Sequence, residues 1–129
     1  MKGFVEDIEE LTEKNEDYRR VLYTGKHLQL VLMALQPGEE IGEEVHETHD
    51  QFFRVEAGEG EVVIDGVRTP IEDDDAVIVP AGARHNIVNT GQKPLKLYTL
   101  YGPPEHRFDV RHPTKADATE EHFDGRTTE

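Results

Sequence analysis

The 129-residue chain contains no cysteine. Disulfides, zinc ribbons and thiol nucleophiles are therefore excluded, and the redox compartment cannot be read from cysteine usage. Nor does any stretch approach the roughly eighteen consecutive apolar residues that mark a membrane-spanning helix. Basic residues are scarce: 14 Lys and Arg stand against 28 Asp and Glu, a net charge of -14. Phosphate binding needs clustered cations, so nucleic acid is not an expected partner. Anionic membrane surfaces are disfavoured for the same reason. The acidic excess reads either as a well-solvated surface or as adaptation to high salt, and both readings stay open. The opening residues, MKGFVEDIEELTEK, lack the apolar core of a secretion signal, so the expected location is cytoplasmic.

What is present points to one all-β domain. Residues 3–16 carry sparse apolar positions (Phe4, Ile8, Leu11) among acids, which permits a short helix or an irregular arm. Arg20 to Gly25 reads as a strand and turn. His27 to Leu35, HLQLVLMAL, reads as a second strand that is apolar on both faces. A barrel interior can cover only one of them. The expectation is that Val31, Met33 and Leu35 need cover from the N-terminal arm or from a second subunit, and a homodimer is the expected answer. Asp65-Gly66 between Ile64 and Val67 signals a tight hairpin. Many short strands with turn signals and almost no helical period indicate a sandwich or barrel. The expected division is an arm over 1–20, a barrel over 21–104 and a tail over 105–129 that packs on the barrel or frays.

Two blocks carry the candidate chemistry. The first is GEEIGEEVHETHDQFFRVEAGEG, residues 38–60, and the second is DDAVIVPAGARHNIVN, residues 74–89. Glu44 and His46 are two apart, so on a strand both side chains point to one face. Gln51 opens the FFRV strand, and Pro80-x-Gly82 makes a turn that can bring His85 across from Glu44 and His46. Two imidazoles and a carboxylate on an apolar scaffold match the facial triad of non-haem iron. A fourth amide oxygen would also suit manganese, zinc or nickel.

These blocks resemble the two signature motifs of the cupin superfamily. Gly38, Glu44, His46, Gln51 and Gly58 fall in the register of the first motif. Asp74, Pro80, Gly82, His85 and Asn89 fall in that of the second. The resemblance implies a jelly-roll barrel, a double-stranded β-helix, with one divalent metal ion held by Glu44, His46, Gln51 and His85. The chain departs from the family pattern at three positions. Glu44 stands for the usual first His, Gln51 for the usual Glu and Asp74 for the usual Gly. Two imidazoles, one carboxylate and one amide keep the single negative charge of the usual shell.

The residue set is also similar to that of type I phosphomannose isomerase, with Gln and Glu exchanged, in a much shorter chain. The resemblance implies a metal-dependent isomerase or dioxygenase acting on a small oxygenated metabolite: a sugar, sugar phosphate, or hydroxy or keto acid. The alternative is a binding or sensing module that uses the same pocket without turnover. His49 is expected outside the ligand set. Arg54 and Arg84 are candidates for an anionic substrate, but Arg54 falls on a different strand face from Gln51 and is expected at the surface. His106, His112 and His122 are expected to face solvent. Either Tyr98 or Tyr101 is expected to line the pocket.

Overall fold

The computed structural model describes residues 2–129. One short helix, α1 (Ile8–Lys14), precedes ten strands: β1 (Arg19–Thr24), β2 (Gln29–Leu35), β3 (Glu44–Val45), β4 (Asp50–Ala57), β5 (Glu59–Ile64), β6 (Val67–Glu72), β7 (Ala76–Val79), β8 (Arg84–Asn89), β9 (Leu95–Gly102) and β10 (Arg111–His112). They form a six-stranded sheet in the order β10-β1-β2-β9-β4-β7 and a four-stranded sheet in the order β3-β8-β5-β6. All pairings are antiparallel. Inner faces of both sheets supply one apolar core, including Val31, Met33, Leu35, Phe53, Val55, Ile87 and Leu97.

Local chemistry explains the turns. Asp65 and Gly66 both take positive φ, 47° and 82°, which gives the β5–β6 hairpin the twist its strands need. Asp74, where a glycine is usual, also lies at positive φ, 74°. Aspartate tolerates that region better than most residues. Its backbone N–H donates to Val55 O, and its carboxylate holds Arg54 Nη2 at 3.0 Å.

The faces of β2 are the reverse of the expectation. Val31, Met33 and Leu35 point into the core, and each is fully buried. Leu32 and Ala34 form the outer pair and are buried all the same, within a single chain. The N-terminal segment lies on that side. Helix α1, capped by Asp7, packs on β9 and β4, Lys96 Nζ donates to Glu13 O, and Ala34 N–H donates to Asp17 O. On the same outer face Leu30, Leu100, Phe52 and Ile78 form an apolar row in cross-strand register, of which Ile78 is 69% exposed.

Gly58 fixes the β4–β5 corner. It sits at φ 92°, and a Cβ there would stand 2.6 Å from Pro94 O and 3.0 Å from Leu95 Cα, both backbone atoms that cannot swing aside. We predict that Gly58→Ala lowers stability by about 1–3 kcal/mol, read as a drop in the urea unfolding midpoint. An unchanged midpoint would show that the corner relaxes freely.

Candidate metal centre

A ladder of only two residue pairs positions the site. Strand β3 has two residues, and Glu44 lies directly opposite His85 on β8. Opposed residues of an antiparallel pair project to the same face. His46 follows β3 immediately. Gln51 comes from the other sheet, on β4, where it alternates inward with Phe53 and Val55 and lies opposite Tyr101 on β9. The four sequence-predicted ligands thus come from both walls of the barrel.

Glu44, His46 and His85 can each offer a donor atom so that all three atoms lie within 4.8 Å of one another. His46 Nε2 is 2.9 Å from Glu44 Oε2, an ion-pair contact angled poorly for a hydrogen bond, so Nε2 has no hydrogen-bond partner. His85 Nδ1 lies 3.2 Å from Ala83 O, so the ring proton belongs on Nδ1 and Nε2 is left with its lone pair. Gln51 Nε2 donates to Thr99 Oγ1 at 3.0 Å, while its buried Oε1 has no partner. An imidazole nitrogen, a second one fixed in tautomer, a carboxylate and an orphaned amide oxygen are donors that suit a divalent transition metal.

The electrostatics follow the same pattern. Burial pushes the Glu44 carboxyl up, but the adjacent His46 and the charges of Arg19 and His85 together outweigh it and hold the group below the usual carboxylate range. The Glu44 carboxylate raises His46 above its ordinary value against the opposing effect of burial. Burial lowers His85, and the field of His46 adds to that.

A cavity of about 420 Å³ opens on this cluster. Glu44 and His46 form part of its wall, together with Arg19, Glu105, His106 and the chain from Ala118 to His122. His85 and Gln51 are not in that wall, and each is only 4% exposed. His49 stays outside the Glu44–His46–His85 group. Its Nε2 lies 3.0 Å from Pro104 O and 3.3 Å from Glu105 Oε2. Glu105, which nothing in its spacing distinguishes from the other tail acids, completes a second group with His46 and His49 and reaches His122 Nδ1 at 3.3 Å.

The tail histidines need correction. His112 is 4% exposed on β10, against the solvent position expected for it. His106 is largely covered: its backbone N–H donates to Gln29 Oε1, and its ring meets Tyr101 edge to face at 5.2 Å. His122, with its side chain 68% exposed, stands in solvent as expected. Of the two tyrosines, Tyr101 faces inward, 5.9 Å from the His46 ring, and Tyr98 faces outward against Phe52. Arg54 and Arg84 are tied to Asp74 and Glu43 at the surface.

Residues 31–101 match the family model described as a cupin domain. The chain is a cupin. It is 47% identical over 123 residues to the uncharacterized protein YrkC of Bacillus subtilis strain 168, covering 91% of this chain and 66% of that one. It is 39% identical over 118 residues to the uncharacterized protein L612 of Acanthamoeba polyphaga mimivirus, covering 85% and 73%. The crystal structure of BH2720 from Bacillus halodurans superimposes with a TM-score of 0.88 at 46% identity, covering 90% of this cupin and 92% of that chain. The cupin thus spans about two thirds of the length of the first of these relatives. No helix among the described residues is long and apolar enough to cross a membrane.

Burial holds His106 far below its ordinary value, at about 3, with the charges of Arg19, His46, His112 and His122 acting in the same direction. The ring is neutral at pH 7, and its Nε2 lies 3.3 Å from Tyr101 Oη, whose proton burial retains. The unfolded chain protonates this histidine near the ordinary value of about 6.5, so its contribution to stability is present above that pH and is lost as pH falls towards 3. Between pH 7 and 5 we predict that the cupin loses about 1–2 kcal/mol more than His106→Gln does in urea unfolding. Equal losses would contradict the assignment.

Proposed function

We propose that this cupin holds one divalent ion (manganese, iron, zinc or nickel) on Glu44, His46, Gln51 and His85. We further propose that it is an enzyme acting on a small oxygenated metabolite: a sugar, sugar phosphate, or hydroxy or keto acid. The observation that carries this reading is the convergence of the Glu44, His46 and His85 donor atoms within 4.8 Å, with a buried Gln51 oxygen left without a partner on the other sheet. An unpaired buried oxygen costs about 1–3 kcal/mol, so its retention favours a ligand-binding role. When bound, such an ion supplies Lewis acidity towards a substrate carbonyl or hydroxyl, or O2 chemistry.

The chain's own groups perform the remaining tasks. The Ala83 carbonyl holds the His85 ring with Nε2 free, and Thr99 anchors the Gln51 amide. Glu105, in the cavity wall 3.7 Å from His46 Nδ1, offers an oxygen that can hold a proton passed from a bound hydroxyl. The tail residues Ala118 to His122 form part of the cavity wall.

Elemental analysis of protein purified without an affinity tag tests the reading. We predict about one transition-metal ion per chain, and a loss of more than half of it in His85→Ala, since one of only two imidazole donors is then gone. Metal-free wild-type protein, or unchanged occupancy in His85→Ala, would contradict the reading. Full metal occupancy with a tightly held, unconverted small molecule would instead mark a sensing module.

A further inference from the structure

Arg19 has an unusual environment for a charged side chain. It lies on β1 opposite Met33 of β2, so it points into the barrel, and it is only 7% exposed. Its Nη1 is 3.4 Å from His112 Nδ1, its guanidinium carbon is 5.2 Å from the Tyr18 ring centroid, and its Nε has no hydrogen-bond partner. Among the described residues no carboxylate forms an ion pair with it. Six of the more exposed arginines, Arg54, Arg68, Arg84, Arg107, Arg111 and Arg126, each have at least one carboxylate partner, and Arg20, which has none among the described residues, faces solvent. Glu121, which reaches His112 on its far side, is engaged by Arg107 and Thr119.

A buried charge is retained only with compensation, and breaking or omitting its partner is costly. The side of the guanidinium that carries Nε and Nη2 is the fork that receives a planar oxyanion through two parallel bonds. Arg19 lines the same cavity as Glu44 and His46. In a chain of net charge -14, anions are repelled overall, so an unpaired interior cation selects for them locally.

We propose that Arg19 is the anion-recognition residue of this cavity. The substrate carries a carboxylate or phosphate that docks on the guanidinium, while another of its oxygens faces Glu44 and His46. The second half rests on the metal-centre reading, but docking of the anion on Arg19 does not.

Calorimetric titration of the full chain with glycolate, inorganic phosphate and uncharged glycolamide tests this, with metal content measured on the same samples. Saturable binding of glycolate identifies a carboxylate substrate, and binding of phosphate alone identifies a phosphorylated one. Arg19→Gln is expected to weaken the anion that binds by about tenfold or more. Arg19→Lys is expected to weaken it less, with metal content unchanged in both variants. The proposal is overturned by equal anion affinity in wild type and Arg19→Gln, by glycolamide binding as tightly as glycolate, or by no anion binding at tens of millimolar. If Arg19→Gln fails to fold, the wild-type comparison of charged and uncharged probes and the Arg19→Lys titration decide. Anion binding that depends on Arg19 in a protein free of metal supports the anion site and overturns the metal centre.

Discussion

An apolar barrel accepts polar side chains in its interior only when each of their atoms finds a partner, and that constraint organises this molecule. Most of the interior polar groups meet it within the chain. Asn89 donates to Leu35 O and Lys93 O while accepting from Gly91 N–H, which ties the β8–β9 turn to β2. Gln29 donates to Thr24 and to the His106 carbonyl while accepting from the backbone of Glu105 and His106, which draws the tail onto the barrel. The buried atoms left without a hydrogen bond fall into two sets. Arg54 Nε and Glu56 Oε1 lie 3.2 Å apart and offset each other's charge. The others, Gln51 Oε1, His46 Nε2 and Arg19 Nε, belong to the candidate metal centre and the wall of its cavity. Unmet polar demand is therefore concentrated where a ligand would meet it.

The barrel was legible in the sequence because its signals are local. The Asp65-Gly66 hairpin, the strand from Gln29 to Leu35 and the motif spacing around His46 and His85 depend on neighbours close in the chain. Which face of β2 turns inward is not local. Both faces are apolar, and alternation alone assigns residues to two sets without saying which set is inside. Only the pairing of Met33 with Arg19 and Leu97, set by distant strands, decides it.

Two tail histidines, His106 and His112, were misread for a related reason: the tail folds back onto the barrel. The tail's order comes from polar contacts with scattered partners, Gln29 with His106, Arg19 with His112, and Glu121 with Arg107, rather than from an apolar pattern. Glu105 joins the site through the same folding-back, at a sequence distance no motif spans. Arg19 was hidden in another way. In an Arg-Arg-Val-Leu-Tyr strand start, nothing separates the inward arginine from the exposed Arg20 until the register with β2 and β10 is known.

The proposed ion sits between the two sheets and is bound from both. Anomalous diffraction from a crystal grown with manganese or zinc measures this directly. A single strong peak is expected about 2.0–2.3 Å from one nitrogen each of His46 and His85, a Glu44 oxygen and Gln51 Oε1. A peak held by His46, His49 and Glu105 with His85 and Gln51 uninvolved, or no peak in the barrel, would contradict it.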